Sequence, residues 1–309
     1  MPTLLFRSPS DPAVAWTDAL HLHDPGLEVR VWPDTGAVED IEYALVWASP
    51  DGFLHDLPNL RVVFSLGAGV DHLMGAQVPE GVDLVRMVDP ALTEGMIEYV
   101  TYQVLRHHRH MAAYERQQTT AEWRIHPQIR PGERRIGLLG LGELGGACAR
   151  TLGGLGFDVA GWARSSREIP GVTAVTGEDG LDWLLGRSDI VICLLPLTDA
   201  TRGILDESLF RRMQPGSTLI NAARGQHLVE DDLLIALGEG HLGHAVLDAF
   251  RDEPLPPGHA FWRHPHVTVT PHIASLTNPE TGAAAVVHGI HADQAGEPIP
   301  HRVDRGRGY

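Results

Sequence analysis

The chain has 309 residues, 43% apolar and 21% charged, enough for one large or two medium domains with their own cores. Its formal net charge of −16 argues against nucleic-acid and anionic-membrane partners, because both demand basic surface. All 24 basic residues are arginine and lysine is absent, which excludes a lysine Schiff base, a phosphate-loop lysine and a catalytic lysine base.

The opening stretch, MPTLLFRSPSDP, lacks a basic segment followed by an apolar core, so no signal peptide is expected. No apolar run approaches the ~20 residues that cross a bilayer, and a cytoplasmic protein is expected. The first hundred residues then alternate short apolar runs with polar stretches: TLLFRS, LEVRVW, YALVW, RVVFSLG and VDLVRMV. Runs rich in valine and leucine, spaced by segments of helix length, predict buried parallel strands. Residues 94 to 122 read as helical, with no proline and no glycine after Gly95. On that helix His107, His108 and His110, beside Arg106 and Arg109, are expected to form a solvated basic face rather than a metal site. The stretch IHPQIRPGE reads as a loop.

A second alternating series follows: RRIGLLG, FDVAGWA, TAVTG, DIVICLLP, STLINAA, HAVLDAF and HVTVTPH. Helical segments such as ELGGACARTLGGL and VEDDLLIALGEG separate most of these strands, and residues 279–295 are helical again. The two series predict an α/β protein of two doubly wound parallel-sheet, Rossmann-like domains. The expected boundaries are 1–98 and 275–309 for one domain and 99–274 for the other, inserted before the C-terminal helix. Cys148 and Cys193 sit among apolar residues and are expected to be small buried hydrophobes. The HPH at 264–266 has no carboxylate or cysteine at ligand spacing, and no metal site is expected.

Gly140, Gly142 and Gly145, with Glu143 and Leu144 between them, match G-x-G-x-x-G. The motif alone is weak, but here a strand precedes it, a helix follows, and a second strand comes next. In that setting the first glycine permits the turn, the second lets backbone approach a pyrophosphate, and the third lets helix pack on strand. At the end of the second strand an acid would accept bonds from the adenosine ribose and repel a 2′-phosphate. The chain reads Ala163-Arg164-Ser165-Ser166-Arg167 there, with no acid between Gly161 and Arg167. Arginine offers planar, charge-assisted bonds to phosphate and serine adds a donor. Arg164, Ser165 and Arg167 are therefore expected to select NADP, with NADPH preferred over NADH.

Three later stretches carry Arg224 (NAARG), Glu253 (RDEPLPP) and His272 (TVTPHIAS) on the ends of strands. Each falls at the carboxyl edge of the sheet, where open α/β sheets bind ligands. Hydride transfer to a 2-oxo acid needs a cation for the carboxylate, a proton donor for the carbonyl oxygen, and a group that holds that donor charged. Arginine, histidine and glutamate form one set suited to those tasks.

At this point the chain resembles the D-2-hydroxyacid dehydrogenases, and within them the glyoxylate/hydroxypyruvate reductase A type. The resemblance rests on LGAGVDH at 66–72, GMIEYV at 95–100, GLGELG at 140–145, GWARS at 161–165 and CLLPLTDATRGIL at 193–205. NAARG, VEDDLL, LDAFRDEPLPP, TPHIAS and the terminal VDRGRGY carry it to the end. It implies a flavodoxin-like substrate domain, a dinucleotide-binding domain and a homodimer joined through an arm around residues 99–123. It implies that Arg224 grips the substrate's carboxylate and carbonyl, that His272 gives the proton, and that Glu253 pairs with His272. It places substrate carboxylate on the loop of Gly67, Ala68, Gly69 and Val70. It puts Leu195, Pro196, Thr201, Asn221, Ala222, Ala223 and Asp248 on the cofactor side, with Ala163 replacing a small polar residue common before the arginine. Trp47, in a VW-x-x-P segment, is either a core residue or a pocket wall, and the resemblance favours the wall. Glyoxylate and hydroxypyruvate are the implied substrates. A non-catalytic NAD(P)-binding sensor or corepressor of the same fold is the alternative, and a nucleotide-dependent hydrolase a further one; the intact arginine, glutamate and histidine set favours the reductase.

Overall fold

The computed structural model describes residues 1–47 and 49–306. Ala48 in the VW-x-x-P segment and the last three residues of VDRGRGY lie outside the described residues. The chain divides into two compact units, Met1–Leu92 together with the chain from Leu276 onward, and Thr93–Ser275.

The first unit holds β1 (Thr3–Arg7), α1 (Ala13–His23), β2 (Glu28–Val31), β3 (Tyr43–Val46), β4 (Val62–Ser65) and β5 (Asp83–Val85). The strands form one parallel sheet in the order β2-β1-β3-β4-β5, the flavodoxin-like arrangement. All four residues of β3 and of β4 are buried, so both faces of the sheet are covered and the strands read as continuous apolar runs. The helix-length spacers, however, do not become α-helices after β2. Among the described residues the connections there carry only 3-10 turns, at Val38–Asp40, Phe53–Asp56, Asp71–Leu73 and Gly75–Gln77. Pro33, Pro50, Gly52, Pro58, Gly75 and Pro79 break these segments, and glycine and proline cost about 1 and 3 kcal/mol in a helix interior.

In the second unit, α2 (Pro90–His108, of which the residues beyond Leu92 belong here) leads to α3 (Met111–Thr119). The single helix expected over 94–122 is thus broken. His110 takes left-handed backbone at φ 58° and is held there by its ring, which lies 3.1 Å from the Pro127 carbonyl oxygen. The expected solvated histidine face is also corrected. His108 is buried with its ring edge-on to Phe157, and the ring of His107 lies 4.8 Å from that of His244. Burial, reinforced by neighbouring arginines, pushes His107 down to about 4.

The sheet of this unit is built from β6 (Arg135–Leu139), β7 (Asp158–Trp162), β8 (Thr173–Val175), β9 (Ile190–Cys193), β10 (Ser217–Asn221), β11 (Leu242–Leu247) and β12 (Val267–Val269). The helices are α4 (Glu143–Gly154), α5 (Gly177–Arg187), α6 (Glu207–Arg212) and α7 (Glu230–Gly238). The order β8-β7-β6-β9-β10-β11-β12, all parallel, is the doubly wound dinucleotide-binding order with a seventh strand added. One apolar cluster packs α2 and α4 on one face through Val100, Val104, Cys148 and Leu152. The other packs α5, α6 and α7 through Leu184, Phe210 and Leu233. Cys148 and Cys193 are fully buried, and burial pushes both thiols up to about 12, so neither is a nucleophile.

The chain returns to the first unit with α8 (Pro279–Ala295). Asn278 caps it, its side chain accepting from the Glu280 amide at 2.8 Å. Its Asp293 carboxylate accepts from Tyr43 Oη at 2.7 Å and pairs with Arg61 at 2.9 Å, tying the last helix to strands laid down at the start of the chain.

Candidate active site

The glycine turn of the second unit lies between β6 and α4. Gly140 has φ 101° and donates its N–H to the carbonyl of Trp162 at the end of β7. A Cβ on Gly145 would stand 2.0 Å from the Gly140 carbonyl oxygen, so helix and turn can meet only at glycine. Gly142 precedes the first turn of α4, and a Cβ there would meet no atom within 4 Å. It borders open space at a helix N-terminus whose first N–H groups point outward, the geometry that accepts phosphate. Glu143 is exposed and Leu144 half-buried on that turn.

At the end of β7, Arg164, Ser165 and Arg167 are exposed, while the Ala163 side chain is buried in the core and its N–H donates to Val175. After β9, Leu195 is buried and Pro196 exposed, and the Thr201 hydroxyl donates to the Pro196 carbonyl at 2.6 Å to close their turn. Asn221, fully buried at the end of β10, donates to the Arg224 carbonyl at 3.0 Å and accepts from the Ala223 amide at 3.2 Å. It thereby folds the Asn221-Ala222-Ala223-Arg224 turn on itself. Gly225 follows, and a Cβ there would lie 1.8 Å from the backbone carbon of Phe250. Arg224, half-buried, is thus seated against the segment that leads to Glu253.

His272 Nδ1 donates to Glu253 Oε2 at 2.7 Å, and both side chains are about one-third exposed at 32% and 36%. Burial, the largest influence on Glu253, pushes its carboxyl up. Bonds from His272 and from the Phe250 amide, with the charges of His272 and Arg224, outweigh it and hold the carboxyl below its ordinary value. Glu253 is therefore an acceptor at neutral pH, the Nδ1 proton is fixed, and Nε2 is the ring atom left for chemistry.

The backbone that carries His272 is strained, with φ 54° at a residue bearing a side chain. Asp248, buried at the end of β11, holds it there. Its carbonyl accepts from the His272 N–H at 2.8 Å, and its carboxylate accepts from the amides of Ile273 and Ala274 at 2.9 and 2.8 Å. Thr270 donates its hydroxyl to the same carboxylate at 2.6 Å and accepts from Tyr99 Oη at 2.7 Å. The sequence pointed to Asp248 only as a cofactor-side position. Its role in pinning the histidine loop, and the parts played by Thr270 and Tyr99, carry no signal in residue type or spacing.

In the first unit, the loop Gly67–Val70 follows β4. The Gly67 amide donates to Ser65 Oγ at 3.2 Å, and the Val70 side chain enters the core. Trp47, half-buried at the end of β3, lies edge-on to His72 at 4.2 Å, and a Cβ on Gly67 would stand 2.8 Å from its ring. Trp47 therefore packs on this loop rather than in the core. Among the described residues no group of three or more histidine, cysteine, aspartate or glutamate side chains could hold a metal, and no helix is long and apolar enough to cross a membrane.

Comparison with known proteins agrees with this architecture. Residues 101–274 match the D-isomer specific 2-hydroxyacid dehydrogenase, NAD binding domain. A glyoxylate/hydroxypyruvate reductase A from Yersinia enterocolitica is 40% identical over 312 aligned residues, covering 99% of each chain. A D-isomer specific 2-hydroxyacid dehydrogenase from Xanthobacter autotrophicus, solved with NADPH and MES, superposes with a TM-score of 0.96 at 40% identity, covering 100% of this chain and 99% of its own. An NADPH-dependent glyoxylate/hydroxypyruvate reductase from Sinorhizobium meliloti, solved with NADP and sulfate, gives 0.94 at 39% identity with both chains fully covered. The chain belongs to the D-isomer specific 2-hydroxyacid dehydrogenase family.

Proposed function

We propose that this enzyme is an NADPH-dependent reductase of small 2-oxo acids, glyoxylate and hydroxypyruvate among them. The observation that carries the reading is the His272–Glu253 pair at 2.7 Å, with Arg224 close enough for its charge to act on Glu253. The residues present fit the dinucleotide: Gly142 borders open space at a helix N-terminus, and Arg164, Ser165 and Arg167 stand exposed where an acid would repel a 2′-phosphate. The NADPH and NADP of the two similar structures support the same choice. Bound NADPH supplies hydride to the substrate's C2. The chain's own task is to orient the oxo acid and deliver a proton. Arg224 takes the carboxylate and carbonyl oxygens through its planar guanidinium. His272 gives the Nε2 proton to the carbonyl oxygen as negative charge develops there, and Glu253 stabilises the imidazolium beforehand and fixes its tautomer.

The Gly67–Val70 loop is assigned to the substrate carboxylate, and Trp47, packed on that loop, to limiting substrate size. The segment from Tyr99 to Trp123 is assigned to a homodimer contact. Trp123 at its end and Ile125 just beyond it are 97% and 81% exposed, large apolar surfaces that a partner copy would cover. Mixing the protein with glyoxylate or hydroxypyruvate and NADPH tests the central claim through loss of the reduced-nicotinamide absorbance. No oxidation of NADPH with either acid would overturn it and favour the sensor reading.

A further inference from the structure

Two strand-end turns of the second unit meet on a buried ring that the proposed chemistry does not use. His227 is fully buried in the short 3-10 turn that follows Arg224. Its Nδ1 lies 3.2 Å from the Arg224 carbonyl oxygen, and its Nε2 lies 3.3 Å from the Pro196 carbonyl oxygen. Either neutral tautomer aims an N–H at one of these carbonyls, and the imidazolium would donate to both. The ring therefore spans the turn after β9 and the turn after β10.

Backbone bonds already hold this turn. The Gly203 amide donates to the Gln226 carbonyl and the Leu205 amide to the His227 carbonyl, each at 2.9 Å, so backbone already ties residues 225–228 in place. Both carbonyls facing the ring also have another donor: Thr201 Oγ1 at 2.6 Å for Pro196, and Asn221 Nδ2 at 3.0 Å for Arg224. Burying an imidazole costs desolvation that an apolar side chain of similar volume would not. What the imidazole adds, with its proton on Nε2, is a side-chain bond to the Pro196 carbonyl from a residue whose own amide already donates to the Arg224 carbonyl at 3.2 Å.

We propose that His227 is a positioning residue that locks the backbone of Arg224 onto the Pro196 turn and so sets where the guanidinium meets the oxo acid. The inference rests on the reading of Arg224 as the substrate arginine. Angular error of a few degrees at a backbone is amplified along the length of an arginine side chain, and small misplacements at a reacting centre are costly.

The test compares His227→Phe, which keeps a ring but removes both nitrogens, with His227→Gln, which restores an N–H donor. Wild-type reduction of glyoxylate with NADPH is measured first, and its absence would sink the functional reading itself. Given wild-type turnover, His227→Phe should lower kcat/KM for the oxo acid about tenfold, the size of one lost hydrogen bond expressed in the reacting geometry. Its Kd for NADPH, read by fluorescence, should stay within about threefold, and His227→Gln should recover most of the loss. Unchanged kcat/KM in His227→Phe would overturn the inference. So would equal impairment of both variants in step with a fall in Tm, since that pattern marks a purely structural ring.

Discussion

At Glu253 a carboxylate that burial would neutralise is kept ionised by His272, the Phe250 amide and the charge of Arg224. A carboxyl held below its ordinary value contributes stability that is present above the unfolded value of about 4.3 and is lost as pH falls through the lowered one. The His272 ion pair should therefore persist through mildly acidic pH. Reduction of an oxo acid consumes a proton and oxidation releases one, so reduction should fade and oxidation improve as pH rises. Replacing Glu253 by Gln removes the anion paired with His272 Nδ1 at 2.7 Å, so kcat/KM for reduction should fall about 10- to 150-fold while the Kd for NADPH stays unchanged. Unchanged kcat/KM would mean that the pair does not serve the reaction. The second prediction at this scale concerns Arg164. Arg164→Ala should weaken NADPH by roughly 1.5–3 kcal/mol, or about 10- to 150-fold, and leave NADH nearly unchanged. Steady-state kinetics with both cofactors check it, and an unchanged ratio would remove Arg164 from the phosphate site.

Among the elements, the loop from Thr270 to Ala274 shows how a strained residue is maintained. The left-handed backbone of His272 persists because Asp248 accepts from three amides around it and from Thr270. Thr270→Val keeps the shape but leaves the Tyr99 hydroxyl and one oxygen of Asp248 without their shared partner. The expected cost is about 1–3 kcal/mol of stability. A kcat loss larger than the loss of folded protein should accompany it as the histidine loop loosens. If kcat per folded molecule is unchanged, the network serves folding and not the reaction. None of this was legible beforehand, because Tyr99, Asp248 and Thr270 are far apart in sequence and meet only through the sheet. The strands were legible. All twelve apolar runs form strands. Inner strands such as β3, β4, β9 and β10 are buried throughout, which a parallel sheet covered on both faces writes as valine, leucine and isoleucine, while the edge strands β2, β8 and β12 are only partly covered. The glycine turn was legible for a similar reason, since Gly140 and Gly145 each meet a backbone constraint that other residues fail. Histidine is the opposite case. His108 looked like surface beside two arginines, yet it is core, because its ring packs on Phe157, a residue nothing in the local pattern connects to it.

For the whole molecule, the division of the chain predicts that stability and cofactor binding can be separated. The first unit is completed by α8, which arrives after the entire second unit has been made. It meets the first helix at Gly282, where a Cβ would stand 2.7 Å from the Trp16 ring and 2.9 Å from Thr277 Cγ2. Trp16 is fully buried and stacked on Phe6 at 6.2 Å, so its ring cannot swing away as a surface side chain would. Gly282→Val inserts three carbons into this contact. Overpacking of this kind costs about 1–3 kcal/mol, against a gain of under about 1 kcal/mol from replacing a helical glycine, so destabilisation wins. The variant should unfold several degrees earlier by calorimetry, with the change confined to the transition of the first unit. Its affinity for NADPH should match wild type, because Gly142 and Arg164 both belong to the second unit. Loss of NADPH binding at a temperature where the protein remains folded would show that the two units are not thermodynamically separable.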